Sequence, residues 1–327
     1  MPTPYEVLEE IRGFKDHREQ RFSLPWFEDR TAGSVWRHKL VHLIAQLPEP
    51  LFESVVGLML DEPSFAVKGA GLHLARMKGA RGLAGRAIDL LSDPFVNVRA
   101  LAAAAIGQFG DDVGVEALLE TKDAENVEVK MAVVDAFKRL RDVRCIPLVS
   151  RWAGRAGEDE RLRKAACETL GSIGDDAAMP VLQRVMFDDA VADDVRGEAA
   201  RSIGLIGGSE AKGYLVQGLG NERPWVRAKA VEGLALMNDA SVFPLLQKFV
   251  ASTEPWMVRL SAIEALARVG GAAALPLLAP LLDDKEIQIR GQTCAALGMI
   301  GDLAAQRALK KALGDKERVV RAQAVEA

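Results

Sequence analysis

The sequence has few cysteines and few aromatic residues, and both shortages limit what the chain can be. Its 327 residues include three scattered cysteines, Cys145, Cys167 and Cys294. An odd number of well-separated cysteines does not form a disulfide framework, so we interpret them as small core residues. Aromatic residues make up 6% of the chain, whereas hydrophobic residues make up 49%. This balance predicts an aliphatic interior rich in alanine and leucine.

The sequence also lacks targeting signals and a strong charge of one sign. The segment after Met1 has no apolar core of signal-peptide length, and we expect no run of the roughly 18 apolar residues that a membrane span needs. The formal net charge of −4 gives no general attraction to nucleic acid or anionic lipid. These absences predict a cytoplasmic protein without a membrane partner.

A period of 31 to 33 residues runs through almost the whole chain. Each period contains an apolar residue followed by a basic one, and small or apolar residues then recur at helical spacing. A glycine closes this helix in the clearest copies, and a second apolar helix follows. The pattern predicts two helices of about 12 residues per period and no strands. The basic residues that open the periods are Arg37, Lys68, Arg99, Lys130, Arg163, Arg196, Arg227, Arg259, Arg290 and Arg321.

The repeated run Asp-x-x-x-x-Val-Arg-x-x-Ala-x-x-Ala-Leu-Gly-x-Ile-Gly resembles the HEAT repeat, in the short bacterial form called phycobilisome-lyase HEAT-like. Its best copies are Asp93–Gly110, Asp193–Gly207 and Asp283–Gly301. The resemblance implies an all-α fold, a right-handed α-solenoid of about ten two-helix repeats, with the helices that follow the basic residues lining a concave side.

The resemblance also implies a ladder between adjacent repeats, formed by an acidic residue of the turn and the basic opening residue. Asp284 and Asp315 lie six residues before Arg290 and Arg321, which fits such a ladder, as does Asp93. Because basic residues recur in every period, we interpret them as structural and not as ligand contacts.

The two ends of the chain depart from the repeat. Residues 1–30 do not match it, and we interpret them as an N-terminal helical cap over the first repeat, with a docking segment as the alternative. Residues 31–327 form the predicted solenoid. Its last repeat is incomplete, because residues 319–327 begin another helix without a closing glycine. We expect weak self-association at that end.

Signals for catalysis are weak, and we predict a non-enzymatic protein without a cofactor or metal. The four histidines are His17, His38, His42 and His73, and no carboxylate or cysteine accompanies them at ligand spacing. The chain has no His-Glu dipeptide, the iron-ligand pair of HEAT-like deoxyhypusine hydroxylases. An enzyme or enzyme accessory resembling the HEAT-like bilin lyases remains an alternative that depends on the repeat type alone.

A second alternative is a nucleic-acid binder. Residues 138–164 contain nine lysines and arginines against four acids, and Trp152 lies among them. Equivalent outward positions of the central helices carry carboxylates, however, and a column of carboxylates would repel phosphate. We therefore interpret the basic segment as a solvated edge.

The favoured prediction is a scaffold or adaptor that binds another protein in the groove or at a turn edge. We count positions from the apolar residue before each basic one. Carboxylates beside apolar side chains suit a basic amphipathic helix or peptide. Trp225 and Trp256 lie just before the basic residues that open two consecutive periods, and tryptophan is enriched among interface anchors. The candidate groove residues at the sixth position are Asp135, Glu168, Arg201, Glu232 and Glu264, and those at the tenth position are Leu205, Leu236, Arg268 and Met299.

Overall fold

The structure, a computed structural model, describes residues 41–42, 44–110, 112–122, 125–251 and 253–327. The segment interpreted as an N-terminal cap and the first basic residue, Arg37, lie outside the described residues. Every regular element in the described part of the chain is helical. The chain divides into two compact units, Met1–Cys145 and Ile146–Ala327. Each period contributes an opener helix, which carries the basic residue, and a return helix.

In the first unit the opener helices pack side by side, each against the next. The return helices are α1 (Glu49–Asp61), α3 (Ala84–Asp89) and α5 (Asp112–Leu119), and the opener helices are α2 (Phe65–Lys78), α4 (Val96–Phe109) and α6 (Val127–Leu140). Short 3-10 turns extend α3 on both sides.

The second unit repeats this arrangement, and its opener helices again pack in sequence order. Its return helices are α7 (Ile146–Gly154), α9 (Met179–Phe187), α11 (Gly208–Gly218), α13 (Phe243–Leu246), α15 (Leu275–Leu278) and α17 (Leu303–Ala312). Its opener helices are α8 (Glu160–Ile173), α10 (Asp193–Ile206), α12 (Pro224–Leu236), α14 (Trp256–Gly270), α16 (Ile287–Ile300) and α18 (Arg318–Glu326). The return helices α13 and α15 are short and continue as 3-10 segments.

Glycines end several opener helices as the sequence predicts. Gly110, Gly174 and Gly301 have positive φ values of 70°, 79° and 68°, and each backbone N–H bonds to a carbonyl of the last helical turn. The prediction fails by one residue at α14, where Gly270 is still helical and Gly271 carries the positive φ of 49°. Two adjacent glycines allow either residue to adopt the left-handed conformation, so the sequence alone does not choose between them.

The apolar residues before the basic openers form the core, as predicted. Val195, Val226, Val258 and Ile289 are at most 1% exposed. The three cysteines are also buried and free, which confirms their interpretation as core residues. Burial raises the pKa of the Cys167 thiol to about 12, so this thiol is protonated at neutral pH.

The expectation that no apolar run approaches membrane length was wrong. Residues 256–283 form a helical stretch that is long and apolar enough to cross a membrane by length and composition. The backbone of Gly271 (φ 49°, ψ −128°) interrupts the α-helical path within this stretch, and α14 packs against α12 and α16. Since core helices of soluble proteins meet the same criterion, the absence of a membrane partner stays a prediction.

Candidate protein-binding surfaces

The basic openers form a ladder between successive repeats. Arg290 donates from Nε and Nη2 to the carboxylate of Asp315 at 2.7 and 3.1 Å, and from Nη1 to the backbone carbonyl of Asp284 at 2.9 Å. Arg259 binds the carboxylate of Asp284 in turn. The turn aspartate Asp284 therefore binds two arginines. Its carboxylate accepts from Arg259 of the preceding repeat, and its backbone carbonyl accepts from Arg290 of its own repeat.

The same connection recurs in other repeats of both units. Side-chain ion pairs join Lys68, Arg99 and Arg227 to the acidic residue of the following turn, and the two arginines also donate to carbonyls six residues earlier. These contacts explain why a basic residue recurs in every period, and they agree with its structural interpretation. The further pairs are Lys68–Asp93 at 2.6 Å, Arg99–Glu125 at 2.8 Å and Arg227–Glu254 at 2.9 Å.

Two openers, Arg163 and Arg196, are held differently. Arg163 donates from Nε to the carbonyl of Ala153, and Arg196 donates to that of Met186, both at 3.0 Å and both ten residues back. Arg196 also pairs with Asp189 of its own turn at 2.9 Å. Both arginines close the 33-residue periods. In these two repeats a backbone carbonyl at the end of the return helix therefore accepts from the guanidinium.

Most of the predicted acidic row is paired with arginine or lysine. Arg201 binds Glu232 at 3.2 Å and Glu198 at 3.3 Å, and Lys229 binds Glu232 at 2.7 Å. Because these pairs neutralise the carboxylates, the row does not present a free negative column to a basic helix. Two further members are paired within their own helices, Asp135 with Arg139 at 3.1 Å and Glu264 with Arg268 at 3.0 Å.

The tenth-position row exposes apolar side chains in the second unit. Leu205 on α10 is 39% exposed and Met299 on α16 is 51% exposed, whereas Leu236 on α12 is half-buried. Asp135 belongs to the first unit, and the other predicted groove residues belong to the second. The remaining member of the acidic row, Glu168 on α8, is half-buried.

The two tryptophans differ in what they contact. Trp225 packs against Gly197 of α10, where an added Cβ would lie 2.9 Å from the indole Nε1, and the ammonium of Lys229 lies 5.4 Å from its ring centroid. Trp256, the first residue of α14, is 53% exposed. Ile287, the first residue of α16, occupies the matching position and is 42% exposed. We name Trp256 and Ile287 the Trp256 edge.

Sequence reasoning missed Ile287 and treated the two tryptophans alike. Trp256 and Ile287 each lie three residues before an opener, whereas Trp225 lies only two residues before its opener. A shift of one residue turns a helical side chain by about 100°, so alignment to the openers would have separated the two tryptophans.

Four of the nine basic residues in segment 138–164 form ion pairs with acids, several of which lie outside the segment. Arg144 contacts Asp112, Glu116 and Asp142 at 2.6–2.8 Å, and its guanidinium lowers the pKa of Asp142. Trp152 is fully buried, so its ring is not exposed for stacking on a base. These contacts leave little support for a nucleic-acid interface. The other pairs are Arg139–Asp135, Arg161–Asp159 and Lys164–Asp194.

The described histidines do not form a metal site. His42 lies 2.9 Å from the side-chain amide of Gln46, and burial together with the charge of Arg76 lowers the pKa of the half-buried His73. Within the described residues, no three histidines, cysteines or acids are grouped to hold a metal ion. His17 and His38 lie outside the described residues.

Comparison with known proteins identifies the family. The family model for HEAT repeats matches residues 115–204, 189–267 and 250–327, and the model for the PBS lyase HEAT-like repeat matches residues 98–123. These matches cover more than half of the chain, which therefore belongs to the HEAT-repeat family. Its fold is an all-α solenoid. No curated protein matches the sequence.

Several solved structures are similar to this chain. Kap121p bound to Pho4p is 13% identical with a TM-score of 0.53, and the match covers 92% of this chain and 40% of Kap121p. The Escherichia coli protein YibA is 17% identical with a TM-score of 0.50, covering 87% and 99% of the two chains. The CpcE–CpcF complex of phycocyanin lyase from Nostoc is 20% identical with a TM-score of 0.42, covering 69% and 92%. At these identities the likeness shows the fold alone.

Proposed function

We propose that this protein is a non-catalytic scaffold or adaptor and that a partner protein binds it at the Trp256 edge. The observation that carries the proposal is the exposure of two large apolar side chains at matching positions of adjacent repeats, 53% for Trp256 and 42% for Ile287. Solvent-exposed tryptophan beside a branched aliphatic residue is typical of an interface anchor.

The contacts that other residues make within the fold support the Trp256 edge as the binding surface. Trp225 already packs against Gly197 and Lys229, so it has less surface to offer a partner. The ladder and the sixth-position ion pairs occupy most of the charged groups nearby. The Trp256 edge therefore presents apolar area that these contacts leave uncommitted to the fold.

The face of the opener helices is the second contact that we propose. Leu205 and Met299 expose apolar surface there, and neutral ion pairs lie between them. A partner helix with apolar side chains and balanced charge fits this face better than the strongly basic helix expected from the sequence. The fold supports the proposal by analogy, because the structure of Kap121p is of a complex with Pho4p.

The test is site-specific photo-crosslinking in cells of the source organism. A photoreactive phenylalanine analogue replaces Trp256 in one variant and Leu303 in a control, which is 72% exposed on α17. We expect a discrete crosslinked protein at Trp256 that is absent at Leu303. The yield of this crosslink should fall at least about tenfold when Ile287→Ser is added, as for an anchor residue worth more than 1.4 kcal/mol.

A crosslink whose yield is unchanged by Ile287→Ser would contradict binding at this edge, and equal crosslinking at Leu303 would indicate non-specific contact. Loss of capture with Leu205→Ser or Met299→Ser instead would place the partner on the opener-helix face. The lyase-like alternative and the cytoplasmic location stay predictions.

A further inference from the structure

The return segment that contains α15, residues 271–282, is apolar on every side although part of it faces solvent. It consists of glycine, alanine, leucine and proline, and none of its side chains is charged or can form a hydrogen bond. Leu278 is 0% exposed on the inner side, whereas Ala273, Pro276 and Pro280 are exposed on the outer side. We name these three residues the apolar strip. A helix that is hydrophobic all round is normally buried, so the outer side is a candidate interaction surface.

Pro280 stands at a position that is charged or polar in the other repeats. It lies 21 residues after the opener Arg259, and seven other openers are followed by an exposed residue at the same distance. All seven residues are charged or carry an amide, as a solvated helix face does. Because the fold accepts a polar side chain there in each of these repeats, packing within the solenoid does not explain the proline. The seven residues are Asp89, Glu120, Arg151, Arg184, Gln217, Lys248 and Lys311.

Return helices lie on both sides of the apolar strip, so its exposure does not come from a missing neighbour. On one side Phe243 of α13 packs against Gly270, where an added Cβ would lie 2.2 Å from the ring. On the other side α17 packs against the 3-10 segment Ala279–Asp283. An 18-residue apolar window within residues 256–283 is 33% buried, whereas core helices of soluble proteins are mostly buried. The repeat therefore has apolar surface that its own neighbours do not cover.

Basic side chains flank the apolar strip on both sides. Lys248 takes the position of Pro280 in the preceding repeat, and Arg307 takes the position of Pro276 in the following one. Both are exposed, and neither forms an ion pair with a carboxylate in the described part of the chain. Asp283, the acid that follows the segment, is already paired with a lysine of α17. The surface is thus apolar along its centre and positive on both flanks, which is complementary to apolar and acidic side chains.

A helix fits this surface better than an extended segment or a lipid bilayer. The strip offers no side chain that donates or accepts a hydrogen bond, so an extended segment would leave its backbone groups unpaired there, whereas a helix pairs its own. Alanine and proline are also small, which lets a helix axis approach to about 8–10 Å. Proteins that lie on bilayers instead insert large side chains such as tryptophan, phenylalanine and leucine.

We propose that the apolar strip binds an acidic amphipathic helix of a partner protein. The helix places small or aliphatic side chains on the strip, and its carboxylates face Lys248 on one side and Arg307 on the other. Exposed ion pairs contribute little each and are screened by salt, so the contact is weak and salt-dependent. The strip shares no residue with the Trp256 edge, so this contact is additional to the one proposed there.

The first experiment uses a fluorescein-labelled synthetic helix of about 15 residues as the probe, with alanine and leucine on one face and glutamate on both flanks. Fluorescence anisotropy follows its binding to the full chain at concentrations up to about 1 mM. We expect at least about tenfold tighter binding than for the same peptide with lysine in place of glutamate, and weaker binding as salt is added. Equal affinities of the two peptides, or no binding of the acidic one, would overturn the proposal.

Single substitutions locate the contact. Ala273→Glu puts a carboxylate into the strip and should weaken binding of the acidic peptide at least about tenfold. Lys248→Glu and Arg307→Glu should each weaken it about fivefold and strengthen binding of the lysine peptide. The matched control is Lys285→Glu, the same charge change at an exposed residue of the turn before α16, which should have no effect, as should Trp256→Ala. A loss in Lys285→Glu equal to that in Lys248→Glu would mean general charge attraction and would refute the assigned site.

Two other occupants of the strip are separated by the same variant. Co-sedimentation of the chain with phosphatidylglycerol vesicles that Ala273→Glu abolishes would assign the strip to a lipid surface. A wild-type dimer in sedimentation equilibrium that Ala273→Glu abolishes would assign it to a second copy. We expect Ala273→Glu to change neither vesicle binding nor self-association, and either change would overturn the proposal.

Discussion

The repeats around α14, α16 and α18 differ from those around α8 and α10 in how they hold a buried arginine. Arg259 and Arg290 bind carboxylates of the following repeat, and Arg259 also donates to the carbonyl of Val250 in its own repeat, whereas Arg163 and Arg196 bind carbonyls of their own repeat. A guanidinium that is removed from water needs hydrogen-bond acceptors, but the acceptors need not belong to the same residues. Arg163 and Arg196 use backbone carbonyls at the end of the return helix, and the turn after Arg196 carries Asn221 where other turns carry an acid.

Backbone contact differs from one pair of neighbouring opener helices to another. A Cβ added to Gly204 on α10 would lie 2.3 Å from the carbonyl oxygen of Gly233 on α12, so these two helices meet backbone to backbone. In α14 the equivalent position is Ala267, which is 3% exposed, and its methyl group separates the helices. The close contact is not confined to the region around α8 and α10, because a Cβ added to Gly298 on α16 would lie 2.8 Å from the Cα of Ala327.

The largest effect should come from filling the backbone contact. Gly204→Ala is expected to lower the free energy of unfolding by about 3 kcal/mol, because neither backbone can move away without disturbing a helix. Urea denaturation measures this. The control is Gly213→Ala on α11, where no atom lies within 4 Å of the added Cβ, and where we expect no loss or a small gain. Equal losses for both changes would contradict a close contact at Gly204.

Removing one carboxylate of the ladder should lower the free energy of unfolding less than Gly204→Ala does. The size of the loss should still differ between the two regions. Asp284→Asn removes the charge partner of Arg259, which is 3% exposed, and we expect a loss of about 2 kcal/mol in the free energy of unfolding. Asp189→Asn should cost far less, because the Asp189 side chain is 86% exposed and Arg196 keeps the carbonyl of Met186. Matched thermal and urea unfolding decides the order, and a larger loss for Asp189→Asn would refute the distinction.

A carboxylate placed at residue 221 tests whether Arg196 can be held in the same way as Arg259. Asn221 takes the position before α12 that Asp284 takes before α16, and its side chain accepts from the N–H of Arg223 as that of Asp284 does from Glu286. We expect Asn221→Asp to raise stability by up to about 1 kcal/mol and to make Asp189→Asn harmless. A double-mutant cycle gives the coupling, and strictly additive effects would mean that Arg196 does not reach residue 221.

Lowering the pH should weaken the ladder and so lower the stability of the protein. The hydrogen bond from Arg290 lowers the pKa of Asp315; at Asp284 burial acts to raise the pKa, but the hydrogen bonds and the charge of Arg259 lower it overall. Their contribution is therefore present above the ordinary value of 3.8 and is lost as the pH falls through the lower folded-state pKa. The urea midpoint should decrease below about pH 4, and less so in Asp284→Asn; an equal decrease would assign the acid sensitivity elsewhere.

Trp256→Ala has the smallest expected effect on stability, and its comparison with Trp225→Ala gives the clearest contrast. Trp225→Ala should lower the free energy of unfolding by about 2 kcal/mol because its ring packs against α10, whereas Trp256→Ala should stay within about 0.5 kcal/mol. Thermal unfolding of the two purified variants measures both. A comparable loss for Trp256→Ala would mean that the Trp256 edge serves the fold instead of a partner.

Much of the fold could be predicted because it repeats. The apolar residue before each opener, the closing glycines and the buried cysteines follow from helical spacing, which a sequence displays directly. The pairing of Glu232 with both Arg201 and Lys229 could not be predicted, since it depends on the distance between neighbouring helices. The acidic row consequently looked like free negative charge in the sequence and is mostly neutral in three dimensions.

By itself the sequence determined the period, the helix pair and the HEAT family, because local spacing and hydrophobic pattern specify each hairpin and its neighbours. Only the tertiary structure decided which outward side chains are free. Glu232 is the example, because Arg201 on α10 and Lys229 on its own helix neutralise a carboxylate that looks free in the sequence. Pairing and burial depend on the distance to the neighbouring repeat, and no single period of the sequence specifies that distance.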